Sequence, residues 1–277
     1  MRKFNLYFDD IKYTLNGENN VWFTNPTGLG ADYSPSMVDL RNGFFKPIST
    51  DIIPQNPIVG DITFTRVTDV LPYGDAYALY RDFAMRVSQA KKIEFAYQPY
   101  GTDEFRCEVK LEYITKTEKS GNWLTCPVSF MPLTPWYKAV DVEVEFQTDE
   151  DSGGYFAELI PQGDIPAAIE IEFDGCGMPS LLSVAISGEY LGGISVVYSG
   201  RNDPGVFKYS SKYNDSYATF TPDATGEPID MVSLEPGEKP FARLKPFTQN
   251  YILILFMNGA PVPTSNKMKL YYYYRSV

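Results

Sequence analysis

The sequence contains no histidine. That absence removes Ser-His-Asp and Cys-His nucleophile activation, histidine-ligated zinc and the usual proton shuttle near neutral pH. What remains is carboxylate, lysine, tyrosine or all-oxygen metal chemistry. Cysteine is scarce as well. Cys107, Cys126 and Cys176 are too few and too far apart for a CxxC zinc site, and we read them as buried thiols. Long apolar runs are missing. The longest, Tyr251 to Met257, has the length of a strand and not of a membrane span. The opening MRKFNLYFDD lacks the apolar stretch of a signal peptide, which reads as a protein made in a cytoplasm and not sent through the Sec pathway. Basic excess is absent too. Lysine and arginine number 24 against 35 acidic residues, a net charge of −11, and both halves of the chain are acidic. Electrostatic nucleic-acid binding is therefore not expected.

What is present is aromatic and β-forming. Tyrosine (21) and phenylalanine (18) fill short segments separated by turns rich in glycine, proline, asparagine and aspartate. Phe4, Leu6 and Phe8 share one face of a strand that ends at Asp9-Asp10. Ile58 to Val67 reads as a strand with Ile62 and Phe64 on one face. Asp75 to Lys91 carries the one helical pattern, with Ala76, Leu79, Tyr80, Phe83, Val87 and Ala90 at spacings of three and four. Asp75 is placed to cap it. Strands follow at 92–97, 105–115, 124–130 and 137–146, and the loop 116–122 reads as a polar hairpin tip. The acidic, glycine-rich segment 149–154 reads as a linker between residues 1–148, containing the helix 75–91, and residues 155–277. The second part reads as all-β. Ile169, Ile171 and Phe173 alternate with Glu170, Glu172 and Asp174, and further strands are expected from 181 to 274. The expected fold class is mainly β: an N-terminal β-sandwich with one α-helix, then a C-terminal β-sandwich.

Several motifs resemble reactive sites. Asp151-Ser152-Gly153-Gly154 looks like a serine-protease nucleophile motif, but no histidine exists to activate Ser152. Counted as a calcium loop from Asp149, the acidic run puts Gly153 fifth and Ile160 twelfth, where oxygen ligands are required. Glu170, Glu172 and Asp174 share a strand face and form a candidate glycosidase pair, with an ordinary polar face as the plainer reading. Trp22, Trp123 and Trp136 are candidates for sugar stacking, against core or interface packing. Leu270 to Tyr274 reads as a closing strand, with an interface strand as the sharper alternative. No catalytic residue, metal ligand or cofactor-binding residue is assigned.

The ordered pieces of the first half do point to a family. An aromatic pair, Trp22-Phe23, leads into Asn25-Pro26-Thr27-Gly28-Leu29-Gly30. Arg41-Asn42-Gly43-Phe44-Phe45 and Gly60-Asp61-Ile62-Thr63-Phe64 come next, then Tyr80-Arg81-Asp82-Phe83 and Phe95-Ala96-Tyr97-Gln98-Pro99. Val109-Lys110-Leu111 running to Ile114-Thr115-Lys116-Thr117-Glu118, then Leu124-Thr125-Cys126-Pro127-Val128-Ser129-Phe130 and Pro135-Trp136-Tyr137, complete the set. Over residues 1–146 the chain resembles the distal tail proteins of non-contractile-tailed phages that infect Gram-positive bacteria. The resemblance implies a non-enzymatic virion component at the tail tip. It implies a homohexameric ring built by the N-terminal domain, which contacts the major tail protein on one side and a tail-associated baseplate or fibre protein on the other. It further implies an outward C-terminal sandwich of galectin or carbohydrate-module type that supports receptor-binding proteins. The alternative is a carbohydrate-binding protein that recognises cell-wall glycans through that second domain.

Overall fold

The structure is a computed structural model. It describes residues 2–30, 37–40, 44–47, 56–65, 74–101, 103–118, 123–142, 146–149, 152–195, 203–231, 239–256, 260–261, 263–275 and 277. The chain is mainly β and divides into two compact units: Met1–Tyr137 with Tyr274–Val277, and Lys138–Tyr273.

Unit 1 begins with the hairpin β1 (Lys3–Phe8) and β2 (Ile11–Thr14), followed by β3 (Val21–Thr27), the small pair β4 (Met37–Leu40) and β5 (Phe44–Pro47), and β6 (Ile58–Thr65). Helix α1 (Gly74–Gln89) precedes β7 (Ile93–Gln98), β8 (Phe105–Ile114), β9 (Thr117–Glu118) and β10 (Trp123–Pro132). One sheet runs β2-β1-β7-β8 and the other β8-β10-β6-β3. Strand β8 belongs to both. Its first half, Phe105–Glu108, pairs with β7, and its second half, Val109–Ile114, pairs with β10.

The expected inward residues do face one core, where Phe4, Leu6, Phe8, Ile62 and Phe64 are buried with Phe95 and Trp136. Helix α1 lies where its stripe predicted. Phe83 is fully buried and meets the rings of Phe8, Tyr13 and Phe64 at 5.7–6.1 Å. Asp75 in the first turn and Arg86 in the last complement the helix dipole. The expected loop 116–122 carries β9, which pairs with β10 at Thr117 and Glu118; residues 119–122 lie outside the described residues. Residues 41–43, 66 and 67, part of the expected motif and strand, also lie outside them.

Strand β11 (Trp136–Val142) starts in unit 1 and continues into unit 2. Unit 2 then has β12 (Phe146–Asp149), β13 (Ser152–Leu159), β14 (Ile165–Cys176), β15 (Pro179–Ile186), β16 (Glu189–Ser195) and β17 (Gly205–Ser211). The remaining strands are β18 (Ser216–Pro222), β19 (Ile229–Asp230), β20 (Asn250–Phe256) and β21 (Ser265–Tyr274). They form two antiparallel layers, β19-β18-β17-β14-β21 and β12-β13-β20-β15-β16. One core fills the space between the layers, with Tyr155 of the second stacked on Phe173 of the first at 4.6 Å. Ile169, Ile171 and Phe173 point into that core, as their alternation required.

The boundary differs from the expected one. Segment 149–154 lies inside unit 2, where Asp149 and Ser152 are cross-strand partners at the closed end of the β12–β13 hairpin. Acid-glycine composition serves a tight turn as well as a linker, so composition alone could not separate the two. The chain leaves unit 1 at Tyr137 and returns to it at Tyr274, whose ring meets Phe105 edge-on at 5.2 Å.

Candidate interaction surface

The motif that runs from Trp22-Phe23 to Gly30 lies in the stretch Val21 to Gly30. Most of it is strand β3, at the edge of its sheet, with a bulge between Thr24 and Thr27. Asn25 sits at φ 53° inside the bulge and Gly28 at φ 78° after it. A Cβ on Gly28 would stand 1.9 Å from the Pro57 carbonyl oxygen, so only glycine fits this approach of the two chains. The Trp22 ring lies directly over Gly17, where a Cβ would be 2.1 Å from it. Beside Trp22, at the open end of the β1–β2 hairpin, is a groove of about 480 Å³. Phe4, Leu15 and Phe23 lie at its base, and Tyr100, which is 70% exposed, stands at its side.

The outer face of the β2-β1-β7-β8 sheet carries a charged network. Glu94 is only 3% exposed. It accepts hydrogen bonds from the Lys92 ammonium and the Tyr137 hydroxyl, each at 2.5 Å, with the Arg106 guanidinium at 3.6 Å. Burial acts to raise its pKa, but these bonds and cations outweigh burial and hold the carboxyl below its ordinary value. Arg106 also bonds Glu104 at 3.0 Å and lies over the Tyr7 ring at 3.8 Å. Glu104 accepts from Tyr7 at 2.8 Å and from Asn5 at 2.9 Å. Burial, then the Glu104 bond, push the Tyr7 phenol up to about 12.

Unit 2 has a second network, built on the carboxylates singled out as a glycosidase candidate. Glu170 accepts from Tyr271 at 2.5 Å and from Lys212 at 2.9 Å. Glu172 lies between Lys208 at 3.2 Å and Lys267 at 3.5 Å. Both carboxyls are held below their ordinary value. For Glu170 the bonds from Tyr271 and Lys212 outweigh burial; for Glu172 the leading cause is the Lys208 hydrogen bond. A glycosidase general acid needs the opposite displacement. These residues make cross-strand ion pairs on a sheet face, and Asp174 is exposed at its end.

The other sequence candidates disperse. Ser152 opens β13, and strands stand on both sides of the acidic run, where a calcium loop would have helices. Among the described residues, no three acidic or cysteine side chains gather in a metal-binding group. Trp136 is buried in the unit 1 core, 6.2 Å from the Phe95 ring, and is closed to sugar. The Trp123 side chain lies outside the described residues. Tyr271 and Tyr273 belong to a strand that pairs along β14, which fits a closing strand. Cys107, Cys126 and Cys176 are buried and free, and burial raises all three thiols, Cys176 to about 12.

Sequence reading missed an aromatic pair on the outer side of the β12-β13-β20-β15-β16 layer. Phe156 and Tyr251 stack there at 5.8 Å, and Phe156 is exposed. It also missed Phe247, exposed at the tip of a loop that the buried Asn250 side chain ties to Lys245 and Thr248.

The comparisons with known proteins decide the family of unit 1. Residues 4–133 match the profile described as the distal tail protein, N-terminal domain. The chain carries a distal tail protein domain. This is the family that the ordered motifs of residues 1–146 resembled. Likeness in fold to solved structures extends over the whole chain. A chain in the phage p2 baseplate in its activated conformation with strontium is 14% identical, with a TM-score of 0.62 and 100% of each chain covered. A chain in the same baseplate with calcium is 13% identical, with a TM-score of 0.63 over 100% of each. The SPP1 Dit protein, described as a paradigm of the hub adsorption apparatus in phages infecting Gram-positive bacteria, is 12% identical, with a TM-score of 0.50. It is aligned over 97% of this chain and 98% of that one. No curated protein sequence matches the chain.

Proposed function

We propose that the protein is the structural hub at the tip of a phage tail and works as a homohexameric ring. The distal tail domain match over residues 4–133 carries this reading. Unit 1 forms the ring and continues the tube of the major tail protein. A tail-associated baseplate or fibre protein joins its other side, and unit 2 faces outward to support receptor-binding proteins. The protein is made in the host cytoplasm and acts in the virion. A ring subunit needs edges and faces that bind copies of itself, and no cofactor. The test is the mass of the purified full chain by light scattering, with negative-stain imaging of the peak. Six copies in a ring is the expected result; a monomer at micromolar concentration counts against it.

The stacked pair Phe156–Tyr251 favours a second reading, in which unit 2 also takes a cell-wall glycan. A glycan array with the full chain tests it. Saturable binding lost in Phe156→Ala supports it, and a blank array removes it.

A further inference from the structure

The β1–β2 hairpin is unlike at its two ends, and the difference is complementary. At the closed end, Asp9 and Asp10 make a two-residue turn with φ of 48° and 70°. A type I′ hairpin turn requires positive φ at both positions, and asparagine or glycine usually supplies it. The strain is offset here by the Asp9 carboxylate, which accepts the backbone N–H groups of Lys91 and Lys92 at 2.9–3.2 Å. The Asp9 N–H donates to the Lys92 carbonyl at 3.1 Å. The turn is therefore fixed to the body of unit 1. Next to it, Ile11 is 62% exposed. A rigid acidic tip thus presents an apolar, β-branched side chain to solvent.

At the open end of the same hairpin lies the groove beside Trp22. Arg2 and Lys3 are exposed on its rim with one acid, Glu18, and Trp22, Pro26 and Tyr100 form its sides. Its volume of about 480 Å³ suits a few side chains. The tip and the groove are separated by the six residues of β1, about 20 Å at the rise of a strand.

We propose that the Asp9-Asp10-Ile11 tip of one copy seats in the groove of the next copy, head to tail. Ile11 enters between Trp22 and Tyr100, and Asp10 meets Arg2 and Lys3. Three observations support a second copy as the occupant. The charges of tip and rim are opposite, whereas whole copies of net charge −11 repel one another. Tip and groove lie on one stiff element, so their spacing is set before binding and little order is lost on contact. A contact between two different surfaces is heterologous, the kind that repeats around an axis and closes into a ring when the rotation between copies closes. The inference rests on the ring reading above and names the contact that closes the ring.

The experiment uses the full chain with Ile11→Cys and Tyr100→Cys combined. The three native cysteines are buried, so the new pair is the one open to oxidation. Mild oxidation is expected to yield a covalent ladder ending at the ring size, with neither single variant giving more than a dimer. A wild-type ring by light scattering with no ladder in the double variant overturns this contact and leaves the ring reading intact. A wild type that stays monomeric at every concentration overturns both. Charge reversal provides an independent reading. Asp10→Lys and Lys3→Glu are each expected to raise the concentration at which the ring dissociates by about tenfold, and their combination in one chain to restore it. Single variants that assemble like wild type overturn the proposal.

Discussion

Glu94 shows how a single side chain can be misread from its neighbours in sequence. Alternation in Ile93–Gln98 puts it outward, and a polar residue there would ordinarily be solvated. Instead it is buried under Lys92, Arg106 and Tyr137. Removing one partner of a buried pair costs about 3–5 kcal/mol; Lys92 and Arg106 are partly exposed and screened by water, which favours the low end. Glu94→Gln is expected to lower stability by about 3 kcal/mol, seen as a lower denaturant midpoint with an unchanged slope. The pH dependence follows from the direction of each shift. Glu94 and Glu170 have folded pKa values below their unfolded ones, so their stabilisation is present above the unfolded value of 4.5 and is lost as pH falls through the folded values. Tyr7 and Tyr13 are raised from 10.0 to about 12, so their stabilisation is complete below pH 10.0 and is lost as pH rises toward 12. Melting points measured across pH are expected to fall at both ends. Glu94→Gln should flatten the acid limb, and a melting point unchanged between pH 6 and pH 3 (about the ordinary carboxylate range) would contradict this account.

At the scale of the element, strand β3 depends on where its backbone can turn. Gly28 combines φ 78° with contact against the Pro57 carbonyl, whereas Gly101 has φ 62° and open space around it. Both alanine variants bear the cost of a left-handed conformation, about 1 kcal/mol. Only Gly28→Ala must also push β3 away from the chain before β6, and its total cost is expected near 3 kcal/mol. Equal melting points for the two variants would show that this approach does not hold the bulge. Elements were the level most legible in the sequence. The helix was expected at 75–91 and spans Gly74–Gln89, because its stripe of Ala76, Leu79, Tyr80 and Phe83 is a local periodicity. The bulge at Asn25 was not legible, since Asn-Pro and glycine serve a turn and a bulge equally well.

Across the whole molecule, the chain passes from unit 1 to unit 2 and back. Tyr274 and Val277 pack on the unit 1 core after every strand of unit 2 is complete. A chain ending at Tyr273 is expected to lose about 1–3 kcal/mol from unit 1 through lost apolar burial. Hydrogen exchange should report it as faster opening at Phe105–Glu108, with the β13–β20 pairing unchanged. By itself the sequence determined the β class, helix α1, the inward faces of β1, β6 and β14, and the family of the first half. These follow from periodicities of two and 3.6 and from ordered short motifs, all of which are local. Only the tertiary structure decided that β8 serves two sheets, that Asp149 and Ser152 pair across two neighbouring strands of one unit, that Glu94 and Glu170 are paired ions, and that the ends of one hairpin complement each other. Those outcomes depend on which distant strands pair and in what register, and strands with the same alternation can pair in many ways until the whole core is packed.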